Sequence, residues 1–307
     1  MSIHTISVIG AGLMGHGIAL TMARAGFAVI VTDPVPAALD SLAQRVRASL
    51  QAMGCSDVVD ETLGRISTAV NVASAVSNAD LVFEAAPEKL DLKRQIFAEI
   101  EAHAPKDAIL ASNTSVMPIT QIMAALSHKS RALGTHWWNP AHMIPLVEVI
   151  STQWTDPDVA DAVAKVLELA GKSPVKVARD VPGFIGNRLQ HALWREAVSL
   201  VENGICDAEG VDTVVKQSFG RRLAVLGPLE NADLVGTDLT LDIHNTVLAD
   251  LEARPGPSPY LENLVAQGRL GMKTGQGFRD WTEDTAQATR DRVATHLTRL
   301  EGILPKA

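Results

Sequence analysis

The sequence of 307 residues predicts an α/β fold in which a doubly wound, mostly parallel sheet is followed by an all-α C-terminal domain. Two observations favour this fold. Short apolar runs alternate with amphipathic, helix-like stretches through the first part of the chain. Strand signals nearly vanish after a joint at residues 180–184, which contains Pro182 and Gly183. We therefore expect a sheet domain at residues 1–181 and a helical domain at residues 182–307.

The composition favours a globular protein that acts on a small molecule. Hydrophobic residues make up 47% of the chain, and the formal net charge is -8. That charge argues against nucleic acid and against an anionic membrane surface as partners, and no apolar run is long enough to span a membrane. We expect a cytoplasmic protein, because the chain starts without a targeting signal and its two cysteines lie outside any CxxC pattern. No histidine lies in an HxxH or HExxH spacing, so we expect no metal site.

The first predicted strand–helix–strand unit contains the strongest motif. A strand at residues 6–9 ends in Gly10-Ala11-Gly12-Leu13-Met14-Gly15, a helical pattern covers residues 16–26, and the strand at residues 27–32 ends at Asp33. This order is typical of a Rossmann-type dinucleotide site. We expect the whole glycine-rich turn, with its Leu13 and Met14, to bind the cofactor.

Each glycine of this turn has a physical role. Gly10 allows the tight turn, Gly12 lets the backbone approach a pyrophosphate, and Gly15 lets the helix pack against the strand. The pyrophosphate then lies at the helix N-terminus, where free N–H groups favour an anion. Asp33 should accept hydrogen bonds from the adenine ribose, and because Pro34 follows it in place of a basic residue, NAD is favoured over NADP.

The rest of the first domain continues the alternation. Amphipathic stretches predict helices at residues 40–53, near Glu61 and at residues 90–103, 118–126 and 157–171, and apolar runs predict strands at residues 80–84, 108–112, 132–136, 146–150 and 175–177. Polar residues stand at the carboxyl ends of several of these strands, namely Glu84, Asn113, Ser115 and His136. Each alone is also compatible with a turn or a helix cap, but together they indicate a ligand site at one sheet edge.

The stretch His136-Trp137-Trp138-Asn139-Pro140 and the strand at residues 146–150 suggest a proton-transfer pair. Glu148 lies inside an apolar run, where an ionised carboxylate is costly unless it is paired. His136 is the natural partner, because a carboxylate can orient an imidazole and stabilise its protonated form. The alternatives are a core histidine beside an unrelated glutamate, or His142 as the base.

The predicted helical domain begins with a long helix at residues 185–203. Asn187, His191, Trp194 and Arg195 fall along one face of it, and Asn187 lies beside the joint. The polar part of this face is either solvated or turned toward a ligand. Near the C-terminus a stripe at helical spacing must cover either the core or a neighbouring subunit; it comprises Val293, Leu297, Leu300 and Leu304.

Taken together, these motifs resemble the 3-hydroxyacyl-CoA dehydrogenase family over nearly the whole chain. The matching segments are the glycine-rich turn and residues 84–88, 112–115, 136–140, 146–150, 182–188 and 273–278. The resemblance implies an NAD domain and a helical domain that forms a homodimer. It also implies that His136 is the general base, that Glu148 orients it, and that Ser115 and Asn187 hold the substrate oxygen. The positions that match cofactor contacts are Asp33, Glu88, Lys93, Asn113, Ser115, Asn139 and Lys273.

Several departures from acyl-CoA members bear on the substrate. Ile144-Pro145 replaces a basic residue before Leu-Val-Glu, the segment 219–228 is longer and basic, and a helix follows Phe278. These features are similar to members that act on free acids, such as L-gulonate 3-dehydrogenase, L-carnitine dehydrogenase and formyl-hydroxy-methylpyridine-carboxylate dehydrogenase. Paired tryptophans stand where phenylalanine is common, so Trp138 is expected to alter the pocket wall.

A free acid calls for a carboxylate anchor, and arginine suits it because the guanidinium binds carboxylate in a bidentate way. We expect Arg222, with Arg195 as a second candidate, to be this anchor; the alternative is that both are solvated or pair with Glu196 and Glu230. The sequence thus predicts an NAD-dependent dehydrogenase of a small hydroxy acid. The alternatives are an L-3-hydroxyacyl-CoA dehydrogenase and a non-catalytic NAD-binding protein.

Overall fold

The computed structural model describes residues 2–303, so Leu304 of the predicted C-terminal stripe lies outside the described residues. The chain divides into two compact units between Arg188 and Leu189. This division falls a few residues after the boundary expected at residue 181.

The first unit contains a sheet of eight strands in the order β3-β2-β1-β4-β5-β6-β7-β8. The strands are β1 (Thr5–Ile9), β2 (Ala28–Thr32), β3 (Ile66–Thr68), β4 (Leu81–Glu84), β5 (Ile109–Ser112), β6 (Ala132–Trp137), β7 (Leu146–Ile150) and β8 (Ser173–Val177). All neighbours are parallel except β6 and β7, which are antiparallel. The predicted doubly wound, mostly parallel sheet is therefore confirmed.

The helices of the first unit lie between these strands in the chain. They are α1 (Leu13–Arg24), α2 (Pro36–Asp40), α3 (Leu42–Ala52), α4 (Val59–Gly64), α5 (Val72–Val76), α6 (Leu90–His103), α7 (Ile119–Met123) and α8 (Pro157–Leu169). Three details differ from the sequence prediction, the first being that α5 was not predicted. α1 begins inside the glycine-rich turn, since Gly12 is its N-cap. The predicted helix at residues 40–53 starts earlier and is two helices that meet at Ser41, because Pro36 opens a helical turn of its own.

The core forms two hydrophobic clusters, as expected for a sheet covered on both faces. Alternate residues of β4 point to opposite clusters, with Leu81 and Phe83 in one and Val82 in the other. α1, α3 and α8 contribute to the first cluster, whereas α5, α6 and α7 contribute to the second. This packing fixes the strand ends at which the polar residues stand.

The second unit is helical. α9 (Gly186–Glu202) crosses the division, and the helices that follow are α10 (Ala208–Gln217), α11 (Pro228–Val235), α12 (Thr237–Val247), α13 (Pro259–Ala266) and α14 (Glu283–Ile303). Within residues 189–303, only Leu264 and Ala286 are buried hydrophobic residues. No helix among the described residues is both long and apolar enough to cross a membrane.

Candidate active site

The glycine-rich turn at residues 10–15 has no room for a side chain at two of its positions, Gly10 and Gly15. Gly10 has a φ of +108°, and a Cβ atom there would lie 2.7 Å from the carbonyl oxygen of Ala85. A Cβ on Gly15 would overlap the carbonyl oxygen of Gly10. Gly12 is exposed, with nothing within 4 Å of its Cβ position, and no side chain caps α1. The free N–H groups at the start of α1 therefore fit the pyrophosphate of a dinucleotide.

Asp33 lies at the end of β2 and closes this turn. Its carboxylate accepts hydrogen bonds from the backbone N–H of Ala11 at 2.7 Å and of Val35 at 2.8 Å. Arg45 adds a second brace, since its guanidinium donates to the carbonyl oxygens of Ala11 at 2.6 Å and Gly12 at 3.2 Å. Arg45 is a residue that the sequence reasoning missed, because an arginine on an amphipathic helix gives no sign of which group it contacts.

His136 and Glu148 stand opposite each other in the antiparallel pair β6–β7. Nδ1 of His136 lies 2.7 Å from Oε2 of Glu148, and the two residues are 3% and 1% exposed. The backbone N–H groups of Ile185 and Gly186 donate to Oε1 of the same carboxylate, at 2.8 and 3.0 Å. Burial alone would raise the pKa of Glu148, but these hydrogen bonds outweigh it and the pKa lies below its ordinary value.

The imidazole of His136 lies close to two aromatic rings. Its centroid is 5.0 Å from that of Trp138 and 5.7 Å from that of Phe184. Phe184 is buried and has a φ of +49°, a left-handed conformation that is costly for a residue other than glycine. The joint thus holds a ring against the histidine at the expense of backbone strain. Sequence reasoning missed Phe184, because its backbone conformation leaves no trace in the residue type.

Ser115 and Asn187 are brought together, since Nδ2 of Asn187 donates to the carbonyl oxygen of Ser115 at 2.7 Å. Glu88 holds the same turn by accepting a hydrogen bond from the backbone N–H of Ser115 and another from Oγ1 of Thr114 at 2.9 Å. Within residues 2–303, no hydrogen bond of the Ser115 hydroxyl is found, so this hydroxyl remains available to a ligand.

Lys93 is turned inward and carries a buried positive charge. Its Nζ lies 2.7 Å from Oε1 of Glu84, 3.0 Å from the carbonyl oxygen of Ala86 and 3.6 Å from Oε2 of Glu88. Ser112 donates to the other oxygen of Glu84 at 2.6 Å. Lys93 and Glu84 are thus paired with protein groups, whereas the side chain of Glu88 is 39% exposed.

The first unit contains three further residues that the sequence singled out, namely Asn113, Asn139 and His142. Asn113 is buried, and its Oδ1 accepts a hydrogen bond from the backbone N–H of Trp137 at 2.9 Å. Asn139 is exposed. His142 is half-buried and has its pKa lowered to about 4, mainly by burial and then by the charges of His16 and Lys172. A histidine with so low a pKa is a weak proton acceptor at neutral pH, which favours His136 as the base.

Three expected site residues belong to the second unit. Arg195 lies in α9, Arg222 follows the short turn Phe219–Arg221, and Lys273 lies in the turn between Gly271 and Gly275; all three are exposed. Among the described residues, no ion pair of Arg195 or Arg222 is found, so pairing with Glu196 or Glu230 is not seen there. The described residues also contain no group of three or more His, Cys, Asp or Glu side chains that could hold a metal ion.

Models of known protein families match nearly the whole chain. The model of the 3-hydroxyacyl-CoA dehydrogenase NAD binding domain matches residues 5–181, and that of the C-terminal domain matches residues 183–281. Among curated relatives, 5-formyl-3-hydroxy-2-methylpyridine 4-carboxylate 5-dehydrogenase from Mesorhizobium japonicum is 35% identical over 305 residues, with 98% of both chains covered. L-carnitine dehydrogenase from Streptomyces griseus is 36% identical over 316 residues, which cover 99% of this chain and 92% of the relative.

Solved structures of dehydrogenases also superpose on this chain. A crystal structure of a 5-formyl-3-hydroxy-2-methylpyridine 4-carboxylic acid 5-dehydrogenase, described as an NAD+ dependent dismutase, superposes with a TM-score of 0.92 at 35% identity and 98% coverage of both chains. A structure of (S)-3-hydroxybutyryl-CoA dehydrogenase from Ralstonia eutropha superposes with a TM-score of 0.77 at 32% identity, covering 92% of this chain and all of that one.

Proposed function

Because the chain belongs to the 3-hydroxyacyl-CoA dehydrogenase family and is an NAD-dependent oxidoreductase, we propose that it oxidises a small hydroxy acid with a free carboxylate, and reduces the corresponding carbonyl compound, through His136 and Glu148. The observation that carries the proposal is the buried contact of 2.7 Å between these two side chains. A histidine held by an ionised carboxylate is suited to accept a proton and to return it.

His136 takes the hydroxyl proton of the substrate at Nε2, since Nδ1 is occupied by Glu148. The carboxylate of Glu148 stabilises the resulting imidazolium, and its second oxygen stays fixed by the backbone N–H groups of Ile185 and Gly186. Ser115 Oγ and the remaining N–H of Asn187 steady the substrate oxygen as it becomes a carbonyl. The glycine-rich turn and Asp33 would hold NAD, which would supply the hydride acceptor when bound.

A free acid as substrate is supported by three features. The chain superposes better on the pyridine-carboxylate dehydrogenase than on the 3-hydroxybutyryl-CoA dehydrogenase, and a carnitine dehydrogenase is among its relatives. Ile144-Pro145 precedes the Leu-Val-Glu segment in place of a basic residue. Arg222 and Arg195 are exposed, which leaves either guanidinium able to bind a carboxylate.

A second candidate is a 3-hydroxyacyl-CoA dehydrogenase. It is favoured by the description of both matching family models and by the similarity to (S)-3-hydroxybutyryl-CoA dehydrogenase. His136, Glu148, Ser115 and Asn187 serve either substrate, because their chemistry concerns the alcohol and not the rest of the molecule.

A substrate panel separates these candidates. The purified protein is assayed by NADH absorbance with free 3-hydroxy acids, carnitine, and pyridine-carboxylate alcohols and aldehydes, and in parallel with 3-hydroxybutyryl-CoA and acetoacetyl-CoA. We expect kcat/KM for one free acid to exceed that for the thioesters by at least about a hundredfold. A higher kcat/KM for the thioesters contradicts the proposed substrate class. If none of these compounds is turned over, the proposed activity is contradicted. Replacing NAD by NADP gives the cofactor preference, which we expect to favour NAD because Asp33 disfavours a 2′-phosphate.

We also propose that the protein is a cytoplasmic homodimer formed through its C-terminal unit. α10, α11 and α12 contain no buried residue, and large apolar side chains are exposed along α11 and α12, including Leu229, Leu234, Leu239 and Leu241. So much exposed apolar surface is typical of a face that another subunit covers. Cys55 and Cys206 are free thiols, as suits a reducing compartment. Sedimentation at micromolar concentration tests the dimer; a monomer contradicts it.

A further inference from the structure

Trp138 and Gly186 fit against each other beside the proposed base. A Cβ atom on residue 186 would overlap Cζ2 of the Trp138 indole and lie 3.3 Å from its Cε2 and Cη2 atoms. The indole is a rigid ring, and the imidazole of His136 also lies beside it, at a centroid distance of 5.0 Å. It has no flexible end that can move aside, so residue 186 must lack a side chain while residue 138 is tryptophan.

Moving Gly186 away from the indole to relieve this overlap would cost free energy. Its backbone N–H donates to Oε1 of Glu148 at 3.0 Å, and the N–H of Ile185 donates to the same oxygen. A shift of the start of α9 would therefore stretch hydrogen bonds that hold the partner of His136. The position of the indole is in this way fixed by the same backbone that orients Glu148.

The accessible part of Trp138 is carbon. Its Nε1 atom is buried without a hydrogen-bond partner among the described residues, although the residue as a whole is partly exposed. The side chain of Trp138 therefore offers only carbon atoms to a ligand. Because the indole centroid lies 5.0 Å from that of the His136 imidazole, a ring of this size narrows the space beside the proposed base.

Resting on the proposed function of His136 as base, we infer that Trp138, seated against Gly186, determines specificity by limiting the size of the substituent on the reacting carbon. The indole fills space that a phenylalanine ring leaves open, and Gly186 is what makes room for the indole. The pair thus selects compact substrates, and the side chain of Trp138 itself takes no part in the proton transfer by His136 and Glu148.

The specificity test uses substrates of increasing length. Wild type, Trp138→Phe and the control Trp137→Phe are assayed with 3-hydroxybutyrate, 3-hydroxyhexanoate and 3-hydroxyoctanoate, each as free acid and as CoA thioester. Trp137 is a matched control because it is the adjacent tryptophan, is buried, and packs on Phe83 at 5.7 Å. We expect Trp138→Phe to raise the ratio of kcat/KM between the longest and the shortest substrate about tenfold. Trp137→Phe should change it less than twofold.

An unchanged length ratio in Trp138→Phe overturns the inference. Turnover of thioesters alone by the wild type contradicts the proposed substrate class instead, and the length ratio is then measured on the thioesters. The two failures are therefore distinguishable.

A stability measurement tests the fit of the two residues without any substrate. Gly186→Ala should lower the Tm by several degrees in the wild type, and by less than half as much in a Trp138→Ala background, where the space is open. An equal loss of Tm in both backgrounds overturns the proposed packing of Trp138 on Gly186. Because this readout needs only folded protein, it also decides the case if the variants lose activity.

Discussion

Lys93 and Glu84 form an ion pair that is almost completely shielded from solvent, with Nζ 2.7 Å from Oε1 and side-chain exposures of 1% and 0%. The same ammonium group lies 3.6 Å from Glu88, whose carboxylate accepts the backbone N–H of Ser115. A buried charge at the end of β4 therefore supports the turn that bears the proposed oxygen-binding serine.

The first prediction concerns this ion pair. Lys93→Met leaves the carboxylate of Glu84 buried and unpaired, so we expect it to lower the free energy of unfolding by about 3 kcal/mol or more. The control is Lys89→Met, since Lys89 is an exposed lysine at the N-cap of α6 and should cost less than about 0.5 kcal/mol. Urea unfolding followed by circular dichroism measures both. If Lys93→Met is as stable as the wild type but loses NAD affinity, Lys93 acts as a cofactor contact instead.

The second prediction concerns Glu148. Glu148→Gln keeps the shape of the side chain but removes the charge that stabilises protonated His136. We expect kcat to fall by about a hundredfold or more while the Kd for NADH changes less than about threefold. Steady-state kinetics and NADH fluorescence titration measure the two quantities. A normal kcat in this variant contradicts the role of Glu148, and a parallel loss of NADH binding indicates that the variant disturbs the whole domain.

A sequence pattern shows where buried strands run and where they end, so it predicts the residues that stand on these strands or directly after them. β6 and β7 have clear apolar runs, so His136 and Glu148 were predicted together, and the antiparallel register of the two strands sets them opposite each other. The position of the sheet edge likewise follows from where buried strands end, which anticipated Asn113 and Ser115. β3 was not predicted, because it has only three residues and two of them, Ser67 and Thr68, are polar and exposed.

Features that depend on direction or backbone conformation could not be anticipated. A lysine in an amphipathic helix is solvated by default, so the inward turn of Lys93 had no signal in the sequence. The positive φ of Phe184 and the fit of Trp138 on Gly186 are equally invisible, because they arise only when the joint folds back onto β6. These are the positions where tertiary contacts override local preference.

The third prediction concerns the proposed carboxylate anchor. Arg222→Met removes the guanidinium, so we expect KM for the free-acid substrate to rise at least about tenfold, with kcat changing less. Arg221→Met is a matched control, because Arg221 is the adjacent exposed arginine and donates to Oε1 of Gln217, at the end of α10, at 3.2 Å. An unchanged KM in Arg222→Met shows that this arginine is not the anchor, and the same measurement on Arg195→Met then tests the second candidate.

The fourth prediction concerns acid stability and depends on His142. Its pKa falls from 6.5 to about 4 in the folded protein, mainly through burial and then through the charges of His16 and Lys172. The unfolded chain therefore binds a proton at His142 at a higher pH than the folded protein does. The neutral form stabilises the fold fully above pH 6.5, and this contribution is lost as the pH falls from 6.5 to about 4.

The full contribution is at most about 3.5 kcal/mol, at about 1.4 kcal/mol for each pH unit between the two pKa values of 6.5 and about 4. His142→Gln removes the titration while keeping a polar side chain of similar size. Urea unfolding of both proteins between pH 7.5 and pH 4 measures the effect, and the difference between them cancels the contribution of acidic residues. We expect the wild type to lose more stability than His142→Gln over this range, because only the wild type must keep the imidazole of His142 unprotonated. Parallel curves for the two proteins contradict this, since they require the same proton uptake on unfolding with and without His142.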